Sequence, residues 1–484
     1  MKTGNMRKNR LLACLMIIAI LAALLAGCGE EDYTAEEVDT EIITAMYENN
    51  MSAVSHATSA ADLAGYLYEW GTLNDAFRVS HDKYDNIIIS KVSSGEEYSE
   101  SESTILQCTL DLSVPDRTAQ AMTAAMYILS YCENHGFMRV LFTEPDAGIE
   151  KIKKSYITAD NFISLDSSKN NTVITGSAER HDYKVSKDII YQEATYTNAY
   201  EITIMGLNGT HAGKTNQLNA VKTLGKMLAE LKSTGALIEI GSLCSGYMDE
   251  DGQFAVDAEC RGGYPLGAQA IIYINDNDVN KLTKKITKSQ TKTLDNYLEA
   301  NPEMIYSFEK IEKAEDAMVI SSDDTSAIIS FIYTSLYGIY DKDDKGEAIA
   351  VNNILYCNTE GGHFEIDLTA ISLSESKMDT LDSIVSTLCG LYDLEHEKTV
   401  VASLWDMDIA DEAALKEIPL VEKICSSAFK IYEKDTQFAK SFENTAISKV
   451  VERIPDANIV AYGVTEKNLE RQTAALLTYF EMNR

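Results

Sequence analysis

Strand-length apolar runs alternate with helical patterns between residues 60 and 165, and the same alternation returns between 419 and 480. Asn86-Ile87-Ile88-Ile89 begins one run, Thr104 to Leu112 is a second, and Phe137 to Phe142 and Phe162 to Leu165 follow. Helices are predicted over Ala60 to Leu73 and over Thr118 to Cys132, the latter stopping near Gly136. Buried strands joined through helices form a mostly parallel sheet covered by helices, an α/β architecture. At the far end Pro419 opens a helix through Ile431, Asn458 to Val464 reads as a strand, and Thr465 caps a last helix carrying Leu469, Leu476, Leu477 and Phe480. One sheet in two pieces implies an insertion. The middle, residues 182–397, is read as an inserted α+β lid domain long enough to hold two related halves, leaving 42–181 and 398–484 as the two parts of the sheet domain.

Inside the insert, Tyr200, Ile202 and Ile204 alternate with Glu201 and Thr203, the period of a strand with one buried face. Gly206, Gly209 and Gly213 then surround a single histidine, His211. Leu218, Val221, Leu224, Leu228 and Leu231 recur at helical spacing behind it. By itself this is a strand-loop-helix corner with a solvent-facing histidine.

The chain begins with Lys2, Arg7, Lys8 and Arg10 ahead of an apolar run from Leu11 to Ala26, the layout of an export signal. The run is short for a bilayer span, which takes about 20 apolar residues. It closes on Leu25-Ala26-Gly27-Cys28, which resembles the bacterial lipobox, so residues 1–27 are expected to be removed and Cys28 to be lipidated. Residues 28–41 follow as an acidic tether, with Thr34 and Glu37 spaced as a capping box for the first helix. The expected location is therefore extracytoplasmic, anchored by lipid to a bacterial cell membrane. The net charge is −33, and removing four basic signal residues leaves about −37. That balance excludes nucleic acid as a partner. Nine cysteines include Cys14 and Cys28, and the odd seven remaining lie scattered in apolar segments, as buried thiols rather than a disulfide framework. Cys132 and His135 have half of a zinc spacing and no second pair.

Several segments, in order, resemble the aminoacyl-histidine dipeptidases, a branch of the dinuclear-zinc dipeptidase and aminoacylase superfamily. Thr210-His211-Ala212-Gly213 followed by Asn219-Ala220 is similar to that family's Gly-His-Ser-Gly lid loop and the helix behind it. Asn86-Ile-Ile-Ile-Ser-Lys91 matches an early family strand, and Leu106-Gln107-Cys108-Thr109-Leu110-Asp111-Leu112 the next. The resemblance implies a zinc-peptidase-like domain with an inserted lid, and room for a dimer through that lid.

Carried over residue by residue, the resemblance predicts a fold kept and a site dismantled. Asp111 matches the aspartate that orients the first zinc-binding histidine, but Thr109 stands at that histidine's place. Gln120 falls where a bridging aspartate belongs, and Pro145 on the general base. Glu144 would partly replace that base if the one-residue gap is placed differently. Asp146 and Asp166 keep two of five ligand positions, one for each metal, while Phe442 replaces the last histidine. Ile371 stands where an arginine would grip the substrate carboxylate, and His211 keeps the lid position. Catalytic zinc normally takes three protein ligands. The expectation is a non-catalytic binding or assembly module without a cofactor. Its partner would be cationic (a small molecule, a basic peptide or a partner protein), since the remaining carboxylates lack metal to neutralise them. Two alternatives stand beside it: a zinc-dependent hydrolase with a rearranged site using Asp111, Asp146, Asp166 and His211 with Glu144 or His181, and a structural envelope lipoprotein without ligand.

Overall fold

The computed structural model describes residues 37–96, 101–112, 114–145, 148–165, 169–208, 218–256, 265–407, 409, 411–442, 446–464 and 466–482. A nine-stranded sheet runs in the order Arg78–His81, Ile87–Lys91, Met138–Thr143, Thr104–Thr109, Asn161–Ser164, Asn458–Ala461, Thr172–Ser177, Trp405–Asp406, and Gln437–Ser441 also pairs with Thr172–Ser177. Its four central strands, from Met138–Thr143 to Asn458–Ala461, are mutually parallel. Antiparallel neighbours flank them on both sides. The C-terminal strand thus sits beside Asn161–Ser164, completing a sheet begun some 300 residues earlier.

One apolar cluster covers one face of the sheet and includes Ile87, Leu106, Val140, Ile163 and Val460. The alternate residues Ile88, Ile105, Leu141, Phe162 and Ile459 belong to a second cluster. Both faces are buried, which is why these strands read as unbroken apolar runs. Helix Pro115–Tyr131 is buried without interruption from Thr118 to Leu129, wedged against helices Thr40–His56 and Leu469–Met482. It starts at Pro115 rather than Thr118, because the first turn needs no N–H there.

Several expected boundaries move, each for a local reason. The strand expected through Leu112 stops at Thr109: the Asp111 carbonyl accepts from Val114 N and from the Thr118 hydroxyl (2.7 Å), turning the chain toward the helix. The strand expected through Val464 stops at Ala461, one residue short of the Tyr462 N–H that bonds Ser164 O at 2.9 Å. Thr34 and Thr465 lie outside the described residues. Glu37 precedes the first described helix, which is capped instead by Asp39, whose Oδ1 accepts from Glu41 N and Ile42 N. The capping box placed on Thr34 and Glu37 is corrected accordingly.

Beside a two-stranded sheet of Tyr191–Glu193 and Met318–Ile320, the middle of the chain forms two five-stranded sheets that share one four-strand topology. Asn198–Met205, helix Ala220–Ser233, Ile238–Met248, Gly267–Ile274, helix Val279–Tyr297 and Ile305–Ile311 make the first unit. Glu179–Asp188, helix Ser322–Thr334, Ala348–Asn358, His363–Ser372, helix Glu375–Tyr392 and Glu395–Ala402 make the second. In both, the four strands lie in the spatial order second, third, first, fourth. The first unit is spliced between the opening strand and opening helix of the second. The units meet along Ile238–Met248 and Ala348–Asn358, where the Ser245 hydroxyl accepts from Cys357 N (3.1 Å) and donates to Cys357 O (3.2 Å). Their helices pack so closely that a Cβ on Gly225 would lie 2.3 Å from Ile332 Cγ2. Lys222 donates to Ile332 O, Tyr333 O and Ser335 O, satisfying carbonyls at a helix end, while burial pushes its amine down to about 8.

Only Ala178 separates Thr172–Ser177 of the large sheet from Glu179–Asp188 of the second unit. The returning chain pairs alongside, Ala402 opposite Arg180 and Trp405 opposite Ser177. Two strands side by side therefore carry the chain in and out. The described cysteines, Cys108, Cys132, Cys244, Cys357, Cys389 and Cys425, are all free thiols, five of them buried, as their apolar settings suggested.

Candidate functional site

The register of the parallel strands gathers their carboxyl ends on one edge. Thr109 lies opposite Thr143, Gln107 opposite Ser164, and Ala461 opposite Ser164. Thr109 to Asp111, Thr143 to Pro145, Leu165 and Tyr462 to Val464 therefore leave the sheet together. In open α/β sheets this edge is where ligands bind.

A neutral polar seam crosses it. The Gln107 side-chain amide donates to the hydroxyls of Thr109 (2.9 Å) and Thr143 (3.1 Å), and its carbonyl accepts from the Ser164 hydroxyl (2.7 Å). Gln107, Thr143 and Ser164 are buried. Beside the seam, Asn86 donates to Asp82 Oδ2 (2.9 Å) and Gly148 O (3.2 Å), and its Oδ1 accepts from Glu144 N (3.1 Å). Asn86 thus holds the turn that carries Glu144 and Pro145, with Glu144 half-buried and Pro145 exposed. Sequence reasoning passed over Asn86, Gln107, Thr143 and Ser164. Their signal was a polar residue inside or bounding an apolar run, which has to find partners once buried.

The other expected site residues are distributed as follows. Gln120 is 5% exposed, inside helix Pro115–Tyr131. Phe442 is half-buried just past Gln437–Ser441. Ile371 is half-buried in His363–Ser372, paired with Val351 and Arg180. Asp146, Asp166, His211 and Cys28 lie outside the described residues.

His181 is held by two carboxylates on strand Glu179–Asp188 and helix Glu375–Tyr392. Its Nδ1 lies 2.9 Å from Asp382 Oδ1 and its Nε2 2.9 Å from Glu179 Oε1, so both ring nitrogens are committed. Asp382 also accepts from the Tyr183 hydroxyl and from Lys398 Nζ (2.8 Å). Burial raises the Asp382 carboxyl, and hydrogen bonds from His181, Lys398 and Tyr183 together hold it below its usual value. This cluster fastens the two chain-crossing strands to helix Glu375–Tyr392.

Among the described residues, the carboxyl edge offers little to a metal ion. Its carboxylates there are Asp111 and Glu144, the Thr109 hydroxyl is turned to a carboxamide, and Gln120 is neutral. No group of three or more His, Cys, Asp or Glu converges among the described residues.

These elements define a two-part fold, a helix-covered, centrally parallel sheet carrying an inserted α+β domain. The chain is similar to the crystal structure of aminoacylhistidine dipeptidase from Vibrio alginolyticus, with TM-score 0.62 and 16% identity over 92% of this chain and 97% of that one. It is also similar to a tripeptidase from Staphylococcus aureus, with TM-score 0.52 and 9% identity over 93% and 99% of the two chains. No family model and no curated relative matches the sequence. At these identities the likeness establishes the fold, in agreement with the α/β architecture and lid expected from the sequence.

Proposed function

We propose that this chain is a lipid-anchored, non-catalytic protein of the dipeptidase fold that binds or assembles partners at the bacterial envelope. The observation that carries the reading is the Gln107–Thr109–Thr143–Ser164 seam. Where the resemblance calls for a metal-binding histidine, Thr109 is tied to a neutral amide, and a zinc site needs about three protein ligands and a base. The anchor rests on the Leu25-Ala26-Gly27-Cys28 box and the basic, apolar stretch before it. Asp111 and Glu144, joined in the resemblance by Asp146 and Asp166, leave a negative edge suited to a cationic partner.

The full-length protein, purified with its native anchor, tests the reading. Metal analysis is expected to find no stoichiometric zinc, manganese or cobalt, and Xaa-His and other dipeptides should remain intact. Close to two ions per chain with chelator-sensitive hydrolysis would overturn the non-catalytic reading and turn attention to Glu144, Asp146, Asp166 and His211. For the anchor, Cys28→Ser is expected to release the protein from the membrane fraction; unchanged fractionation would remove that part alone.

A further inference from the structure

The opposite edge of the large sheet carries a cavity of about 550 Å³, within the roughly 300–1,000 Å³ range of small-molecule sites. Lys91 lies opposite Met138, and Met138 opposite Thr104, so the cavity opens at the amino ends of the parallel strands. Six-residue strands separate it from the carboxyl edge by about 20 Å. It is a second place, independent of the one described above.

His135 lines the cavity and is 2% exposed. Its Nδ1 lies 2.7 Å from Gly136 O, and since a carbonyl only accepts, Nδ1 carries the proton. Nε2 has no hydrogen-bond partner among the described residues. Burial, with Lys91 nearby, lowers the imidazole's pKa, which leaves Nε2 as a lone-pair acceptor at neutral pH. An acceptor without a partner among the described residues, on a side chain that lines the cavity, offers a ligand hydroxyl a place to donate. Around it stand two cations, Arg78 and Lys91, and two carboxylates, Asp75 and Glu133. Lys91 Nζ is drawn to Leu129 O (3.0 Å) and Cys132 O (2.7 Å), which fixes it in the wall. Arg78 and Asp75 have no hydrogen-bond or ion-pair partner among the described residues and sit exposed at the mouth.

The formal charges cancel, so neither an anion nor a cation gains from entering. The lining carries both donors and acceptors. We infer that this cavity is a binding site for a neutral, polyhydroxylated small molecule of mono- or disaccharide size, one hydroxyl donating to His135 Nε2 and others bridging Arg78 and Glu133. A sugar hydroxyl both donates and accepts, which is what such a mixed lining requires.

The test uses the intact exported chain. A panel of neutral mono- and disaccharides, inorganic phosphate and free amino acids is screened by saturation-transfer NMR and by thermal shift. At least one neutral sugar is expected to bind saturably and raise Tm, with phosphate and amino acids silent. Arg78→Ala and Glu133→Ala lie at the rim and should fold normally; each removes a hydrogen bond to a charged group and should weaken the sugar about tenfold or more. His135→Phe should abolish binding, and the rim variants keep the test decisive if His135→Phe does not fold. Absence of sugar binding, binding unchanged in both rim variants, or a response to phosphate or amino acids instead would overturn the assignment. None of these outcomes bears on metal content or on Cys28, so this inference and the proposed function fail separately.

Discussion

At the scale of single residues, two glycines show how one substitution can have opposite signs. A Cβ on Gly148 would lie 2.7 Å from Asn86 Oδ1 and 3.0 Å from Thr143 Cβ. Both neighbours belong to the structure that shapes the carboxyl edge, and neither can retreat without giving up a hydrogen bond. Gly148→Ala is expected to destabilise by about 1–3 kcal/mol, the usual range for overpacking; a urea midpoint equal to wild type would contradict the tight turn. Gly65, exposed in helix Ala60–Thr72, has nothing within 4 Å of its would-be Cβ. There alanine removes unfolded-state freedom, and Gly65→Ala should stabilise by about 0.5–1 kcal/mol. Glu433 presents a third case. It ends helix Pro419–Tyr432 with φ 54°, a left-handed conformation that costs a side chain roughly 1 kcal/mol. Glu433→Gly should move the denaturation midpoint upward, and an unchanged or lower midpoint would show that the Glu433 side chain offsets its own backbone strain.

Among elements, the strand Glu179–Asp188 carries the most exacting polar cluster, because both ring nitrogens of His181 face carboxylates. Asp382 is its centre, with a folded-state pKa held below the usual 3.8. A carboxylate whose pKa is depressed on folding stabilises above its unfolded value, and that contribution is lost as pH falls through the folded value. Asp382 should therefore support stability fully above about pH 4 and release it in stronger acid. Asp382→Asn is expected to cost roughly 2–3 kcal/mol at neutral pH and to flatten the acid limb of the stability profile; equal slopes in mutant and wild type would refute the assignment. The element scale is also where the sequence was most legible. Ile87–Lys91, Thr104–Thr109 and Asn458–Ala461 lie buried on both faces, so their composition alone marks them. The hairpins carry a different signal. Asp82, Asp249 and Asp343 each accept N–H bonds two and four residues on, with a positive φ at the third residue supplied by Asp85, Gly252 and Gly346. That spacing is turn chemistry rather than hydrophobic period, and a search for apolar runs does not register it. The Gln107 seam was hidden for a different reason: beyond Thr109 on its own strand, its partners Thr143 and Ser164 sit on other strands, and nothing in one strand's pattern announces the next.

Across the whole molecule, charge is the property that sequence gives directly and that the fold has to tolerate. The net charge of −33 is set against ion pairs that, among the described residues, are mostly part-exposed, such as Lys377–Asp341, with side chains 40% and 34% exposed, and Lys423–Glu102, 30% and 42% exposed. Pairs of that kind contribute about 0–1 kcal/mol each and cannot neutralise the excess. The compact state therefore confines like charges that the unfolded chain would separate, a self-repulsion that opposes folding. Salt shortens the reach of that repulsion, from about 30 Å at 0.01 M to about 10 Å at 0.1 M, while buried contacts such as those of Lys222 and Asp382 are screened far less. Tm should therefore rise as sodium chloride goes from about 0.01 M to 0.1 M and level off as the Debye length becomes comparable to the spacing between surface charges. The midpoint should also move up with modest acidification toward pH 5, since protonating exposed carboxylates reduces the excess before Asp382 begins to titrate. If Tm instead falls with salt, surface ion pairs outweigh the excess negative charge, and a net-charge account of a cationic partner at the carboxyl edge would lose its footing. Denaturation in urea, itself uncharged, at the two salt concentrations separates the cases without adding ions through the denaturant.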